Sequence, residues 1–175
     1  MGQSQKRVLL LRHAKSSWDD PALADHDRPL APRGRRAAKA MAKYLRRERV
    51  VPAVVLCSSA CRAQETLAGI SPALGDEAEV LIEPELYSAS ATQLLERLRR
   101  LPDTTSSVML VGHNPAVQDL ALTLVGSGSG QTLLEEKYPT AALAALGFAG
   151  SWRELDEGGA ELVDFVTPKA LKQDG

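Results

Sequence analysis

Aromatic residues are scarce, at 4% of the 175 residues, and there are only two cysteines. Two thiols cannot build a disulfide framework, and such sparing use fits a reducing compartment. Neither sign of charge dominates: Lys+Arg number 21 against Asp+Glu 22, for a net charge of −1. No uniform field is therefore available to grip nucleic acid or an anionic membrane. Long hydrophobic runs are missing as well. Ala141 to Ala149 is the longest mostly apolar stretch, under half of the roughly 20 residues that a membrane span needs. Met1 to Lys6 is polar, and Val8 to Leu11 is too short for the apolar region of a secretory signal. The expectation is a cytoplasmic protein with neither nucleic acid nor membrane as partner; nothing in the sequence fixes its oligomeric state.

What is present is enough apolar residue, 44%, to bury a core, which excludes disorder as the default state. The length suits one domain over 1–175, since chains divide only above roughly 200–250 residues. Short apolar runs at Val8–Leu11, Ala53–Cys57, Val80–Ile82 and Val108–Val111 read as strands covered on both faces. Between them, apolar stripes at helical spacing run through Ala37–Leu45, Leu94–Leu101 and Val117–Leu124. This alternation predicts a three-layer α/β domain, its mostly parallel central sheet flanked by helices. Ala142–Phe148 and Glu161–Val166 suggest two further strands, the basis for expecting an antiparallel edge strand, although periodicity leaves the alanine-rich segment open to a helix. The core is expected over about 7–168, with a loose tail after Pro168.

Three of the strands run directly into functional-looking residues. The first meets Arg12-His13, the second Ser58-Ser59-Ala60-Cys61-Arg62, and the fourth Gly112-His113-Asn114-Pro115. Ser59 and Asn114 read as helix N-caps, with Pro115 at the first helical position. Ligands of open α/β sheets collect beyond the carboxyl ends of the strands, beside helix N-termini that favour anions. Any one strand-end His or Arg is unremarkable; two of each at one sheet edge suit a phosphoryl dianion.

Leu11-Arg12-His13-Ala14, Arg62 after Cys57-Ser58-Ser59, and Val111 to Pro115 together resemble the landmarks of the histidine phosphatase (phosphoglycerate mutase-like) superfamily. Asp27-Arg28-Pro29-Leu30, Arg33-Gly34 and Leu86-Tyr87 make the likeness strongest to the small SixA-type phosphohistidine phosphatases. The resemblance implies a phosphatase that needs no metal or other cofactor. His13 is its nucleophile, attacking phosphorus to give a phosphohistidine enzyme that water hydrolyses. Arg12 and Arg62 clamp the equatorial oxygens, and a protonated His113 adds a donor. Arg28 and Asn114 are the implied substrate-binding residues, although a salt bridge fixing its own loop is an equal reading for Arg28. The implied partner is a phosphorylated protein, carrying phosphohistidine, or a small phosphorylated metabolite. A catalytically weak module that only recognises phosphate is the alternative.

Ala14 stands where the wider family has glycine, and Trp18-Asp19 where the mutases have asparagine after tryptophan; Asp19 is expected to point away from the phosphate. The mutases' general acid has no clear counterpart, because Glu83 and Glu85 flank Pro84 outside the full motif and read as structural or surface residues. A protonated imidazole leaves more readily than an alkoxide, so a missing acid favours a P–N bond as substrate. Cys57 and Cys61 lack zinc-knuckle spacing and read as buried thiols. His26 reads as a turn residue, Gly126 to Gly130 as a connector without the P-loop lysine, and the Arg33–Arg49 cluster as a solvated helix face. Substrate specificity is expected from the 16–32 loop and the 127–139 connector.

Overall fold

The computed structural model describes residues 5–174. Its first half alternates β1 (Gln5–Arg12), α1 (Pro32–Arg47), β2 (Val54–Ser58), α2 (Cys61–Ile70) and β3 (Glu79–Glu83). Then come α3 (Ala91–Arg99), β4 (Ser107–Gly112), α4 (Ala116–Val125), α5 (Gln131–Glu136), β5 (Leu143–Ala149), β6 (Glu161–Val166) and α6 (Pro168–Asp174). The strands form one six-stranded sheet in the order β3-β2-β4-β1-β5-β6. The first four in that order are mutually parallel. The antiparallel character expected at one edge occupies two ladders, β1 with β5 and β5 with β6.

Covering both faces of the sheet explains the unbroken apolar runs of β1, β2 and β4; β3, expected to be covered likewise, is an edge strand with Val80 46% and Ile82 41% exposed. Val8 and Leu10 of β1 enter the layer built with α3 and α4, around Leu56, Leu98, Leu110 and Leu120. Leu9 and Leu11 point the other way, with Met41 and Leu45 of α1 and Ala63, Leu67 and Ile70 of α2. The alanine-rich segment left open by periodicity is β5, because Leu143 to Ala149 pair along the whole length of β1. Ladder pairing and burial there override alanine's helical preference. No helix among the described residues is long and apolar enough to cross a membrane.

The tail departs from expectation. Pro168 starts α6 instead of ending the ordered chain, and Leu171 packs against the α1–α2 side of the core. Proline's fixed φ suits a first helical turn, and Thr167 Oγ1 accepts from the Ala170 amide. The proline is a start signal here.

Two close approaches fix the loop that leaves β1. The His13 amide donates to the Gly112 carbonyl at 3.0 Å, tying the ends of two neighbouring strands together. Gly34, in the first turn of α1, lies so close that a Cβ there would sit 2.1 Å from the Lys15 carbonyl oxygen. That contact is backbone, so it has little room to give. Gly34→Ala is expected to destabilise the protein by about 1–3 kcal/mol, measured as a lowered urea midpoint with unchanged m-value; an unchanged midpoint would show that the loop shifts freely.

Candidate active site

The ends of β1, β2 and β4 are adjacent in the sheet, so the sequence-expected residues converge. Arg12 closes β1 and His13 follows it; Ser58 closes β2 and Arg62 is the second residue of α2; His113 follows Gly112 of β4. The His13 and His113 rings lie 5.1 Å apart between centroids, tilted by 54°. His13 and Arg62 are each 8% exposed. Thr66 joins the two segments by accepting from the Ala14 amide at 2.9 Å and donating to the Arg62 carbonyl at 2.7 Å.

The protonation state of His13 follows from its surroundings. A carbonyl can only accept, so the 2.8 Å contact of Nδ1 with the Ala14 oxygen puts the ring proton on Nδ1 and leaves Nε2 with a free lone pair. Burial, assisted by the charges of Arg62, Arg12 and Arg28, pushes its pKa down to about 4, against the opposing effect of the Ala14 carbonyl. At neutral pH His13 is an uncharged imidazole.

His113 departs from the protonated form expected of it. Burial first, then the neighbouring His13 and Arg62, hold its pKa down to about 3, so the free site holds it neutral. Ser58 Oγ meets its Nε2 at 2.8 Å, the Tyr87 ring stands edge-on 5.5 Å away, and Nδ1 is buried without a partner.

These shifts make stability depend on acidity. Between the ordinary histidine value of 6.5 and about 4, the unfolded chain takes up a proton at position 13 that the folded protein refuses. The contribution is full above 6.5 and falls as pH drops through that window, by on the order of 3 kcal/mol for His13 alone. Asp25, the other strongly shifted group of the site, titrates only below its ordinary 3.8. Denaturant midpoints at pH 7 and pH 4.5 therefore read the histidines, and equal midpoints would contradict buried neutral rings.

The two arginines are anchored differently. Arg12 donates through one terminal nitrogen to the Tyr138 carbonyl at 2.8 Å, while its Nε is buried without a partner. Arg62 donates to the Asp25 carbonyl at 2.7 Å and to Oδ2 of the same residue at 2.9 Å. Asp25 also accepts from the Tyr87 hydroxyl and, at 2.9 Å, from Arg28. Tyr87, Arg62 and Arg28 together hold this carboxyl far below the usual carboxylate range, against partial burial. It is an ionised hub.

Sequence reasoning misses Asp25. Its only local signal is its place three residues before Arg28, on a single helical turn over Asp25–Asp27. His26, in the same turn, meets Ser59 Oγ at 2.9 Å and stacks edge-on against Tyr87, 4.8 Å away. Ser59 is thus engaged with a loop histidine; Ala60 precedes α2 and no side chain caps it. Pro115 likewise takes the N-cap place of α4, with Asn114 one residue earlier. The Asn114 amide donates to the Tyr138 carbonyl at 3.2 Å, the acceptor that also holds Arg12, and its oxygen accepts from the Gln118 amide at 3.3 Å.

Arg28 is buried, 6% exposed. It donates to the Ser17 carbonyl at 3.1 Å and Ser16 Oγ at 2.5 Å, and pairs with Asp25. The exposed Trp18 ring covers its guanidinium at 3.2 Å. These contacts fix the 16–28 loop. Asp19 is exposed, with its amide bound to Ser17 Oγ. Glu83 is gripped by Arg97 through contacts of 2.8, 3.2 and 2.8 Å, and Glu85 is exposed. Cys57 is buried, its thiol pushed up to about 12 by burial; Cys61 is only half-buried.

A family model described as the histidine phosphatase superfamily (branch 1) matches residues 8–91. An uncharacterized protein of Mycobacterium tuberculosis is 39% identical over 163 residues, covering 91% of this chain and all of the relative. A SixA structure from Nakamurella multipartitia superposes with a TM-score of 0.85 at 31% identity, covering 96% of this chain and 99% of the other. The phosphohistidine phosphatase SixA of Escherichia coli K12 is 28% identical over 155 residues, covering 87% of this chain and 88% of its own. With strand-end residues, sheet order and whole-length relatives in agreement, the chain belongs to the histidine phosphatase superfamily and is a phosphatase.

Proposed function

We propose that this protein hydrolyses the P–N bond of phosphohistidine through a covalent phosphohistidine at its own His13, without a metal or other cofactor. The observation that carries the reading is the state of His13: uncharged, with Nδ1 tied to the Ala14 carbonyl and Nε2 left as a nucleophile. Arg12 and Arg62 hold the transferring phosphoryl oxygens, where positioned cations supply most of the catalysis. His113 binds the same group and gains a proton as the dianion arrives, because a nearby negative charge raises an imidazole's pKa. Arg28 and Asn114 serve substrate binding through the anchors they share with the clamp, Arg28 through Asp25 and Asn114 through the Tyr138 carbonyl.

The leaving group follows from the carboxylates. Asp25 is held ionised by three donors, so it is no proton donor at neutral pH, and Glu83 is committed to Arg97. A substrate imidazole protonated on its far nitrogen needs no such donor. It leaves neutral as His13 Nε2 bonds to phosphorus and the original P–N bond breaks. Phosphorylated His13 is then in the same position: its protonated Nδ1 makes it a ready leaving group when water adds to phosphorus and releases phosphate. An alkoxide leaving group would find no carboxylic acid to protonate it, since Asp25 is ionised and Glu83 is paired.

Phosphoramidate and an alkyl phosphate, each with and without EDTA, separate the alternatives. The P–N substrate is expected to be turned over at least about tenfold more efficiently, in kcat/KM, with no loss on chelation. Preference for the ester, or chelator-sensitive turnover, would overturn the reading; binding of both without hydrolysis would favour a phosphate-recognising module. The pH profile gives a second check. Because His13 must be neutral, the acidic limb is expected near pH 4, where His13 titrates, and not near 6.5.

A further inference from the structure

A groove of about 490 Å³ opens between the first turns of α1, the segment after α5, and α6. Two of its lining residues lie close to site residues along the chain. Lys15 lies two residues past His13, and Lys137 precedes Tyr138, whose carbonyl holds Arg12. Five cations line it: Lys15, Arg33, Lys137, Lys169 and Lys172. All five are exposed, and none takes part in an ion pair among the described residues. Glu136 is the single carboxylate of the lining. In a chain of net charge −1 this concentrates positive potential along the groove, a cost in self-repulsion that a partner of opposite sign relieves. The floor is apolar, built from Ala37, Pro139, Phe165 and Pro168, with Leu133 47% exposed at its side.

We propose that this groove docks an acidic, amphipathic segment of the phosphorylated protein, seating its apolar side chains on the floor and its carboxylates among the five cations. A small anion is a poorer match. Exposed, solvated cations contribute little singly, so their effect accumulates only over a partner that meets several at once, as complementary protein surfaces do. The 127–139 connector is thereby a specificity element through Leu133, Lys137 and Pro139. This deepens the proposed phosphohistidine activity but is separable from it, because docking needs no chemistry.

The test is fluorescence anisotropy with an unphosphorylated peptide of alternating aspartate and leucine, against the same peptide with asparagine for aspartate. The acidic peptide is expected to bind, with affinity falling as salt rises, and the asparagine peptide at least tenfold more weakly. The Lys137→Glu, Lys169→Glu, Lys172→Glu variant is expected to lose roughly tenfold in affinity, about a factor of two or more per exposed cation. Its turnover of phosphoramidate should be unchanged, which also shows that it is folded. The Lys→Gln triple variant is expected to fall between the two. Equal binding of both peptides, undiminished binding by the Glu variant, or tight capture of inorganic tripolyphosphate with no binding of either peptide would overturn the proposal. Loss of phosphoramidate turnover in the native protein, with acidic-peptide binding intact, would instead sink the proposed reaction and leave the groove standing.

Discussion

His13→Ala is expected to reduce kcat/KM for phosphoramidate by roughly 10⁴-fold or more, the scale on which removal of a covalent nucleophile acts. The fold should survive. The lost ring makes a single hydrogen bond, to the carbonyl of the next residue, and the strands on either side are held by the Gly112 carbonyl and the β1–β4 ladder. Circular dichroism and the thermal midpoint should therefore stay close to native while turnover disappears. Removing a buried neutral imidazole also removes part of the acid-induced loss of stability, so the variant should lose less between pH 7 and pH 4.5 than the parent. Activity within tenfold of the parent would exclude His13 as the nucleophile.

The second large effect belongs to Arg62. Its guanidinium is almost wholly buried and already aimed by Asp25 through two contacts, so its position does not have to be found when phosphate arrives. Losing one such preorganised donor costs about 10²–10³-fold in kcat, and Arg62→Ala is expected at the upper end. It also leaves Asp25 with fewer donors, and an ionised carboxylate beside the phosphoryl group repels it. Arg62→Lys should recover only a small part, since an ammonium cannot contact Asp25 and two phosphoryl oxygens in a fork. A Lys variant with native kinetics would contradict the clamp, as would an Ala variant that changed KM alone.

The proposed catalytic set is legible in the sequence because strand ends are legible. Val8–Leu11, Ala53–Cys57 and Val108–Val111 are short, apolar and abruptly ended, and the residues directly after each must lie at the sheet's carboxyl edge. Their adjacency is not legible. That β2, β4 and β1 are neighbours is set by pairing over long separations, and only the family resemblance brings the histidines together beforehand. The cap at Ser59 misleads because its side chain finds a tertiary partner, His26, in place of a helix amide; the Asn114 oxygen does reach a helix amide, that of Gln118, but from one residue before the N-cap place, while its own amide holds the Tyr138 carbonyl. Asp25 and Tyr87 carry no periodic signal: one sits on a loop, the other after a short turn, and they meet over Arg62 only in the folded chain. Pro168 misleads for a local reason, since proline is favoured at a helix start and just beyond a helix end alike.

Rapid alkaline quenching during turnover of phosphoramidate, followed by mass spectrometric mapping of acid-labile phosphate, addresses the chemistry at its centre. A phosphoryl group on Nε2 of His13, formed in the parent and absent from His13→Ala, is the expected result. Phosphate on His113 or on a carboxylate, or sustained turnover with no phosphoenzyme at any time point, would contradict it.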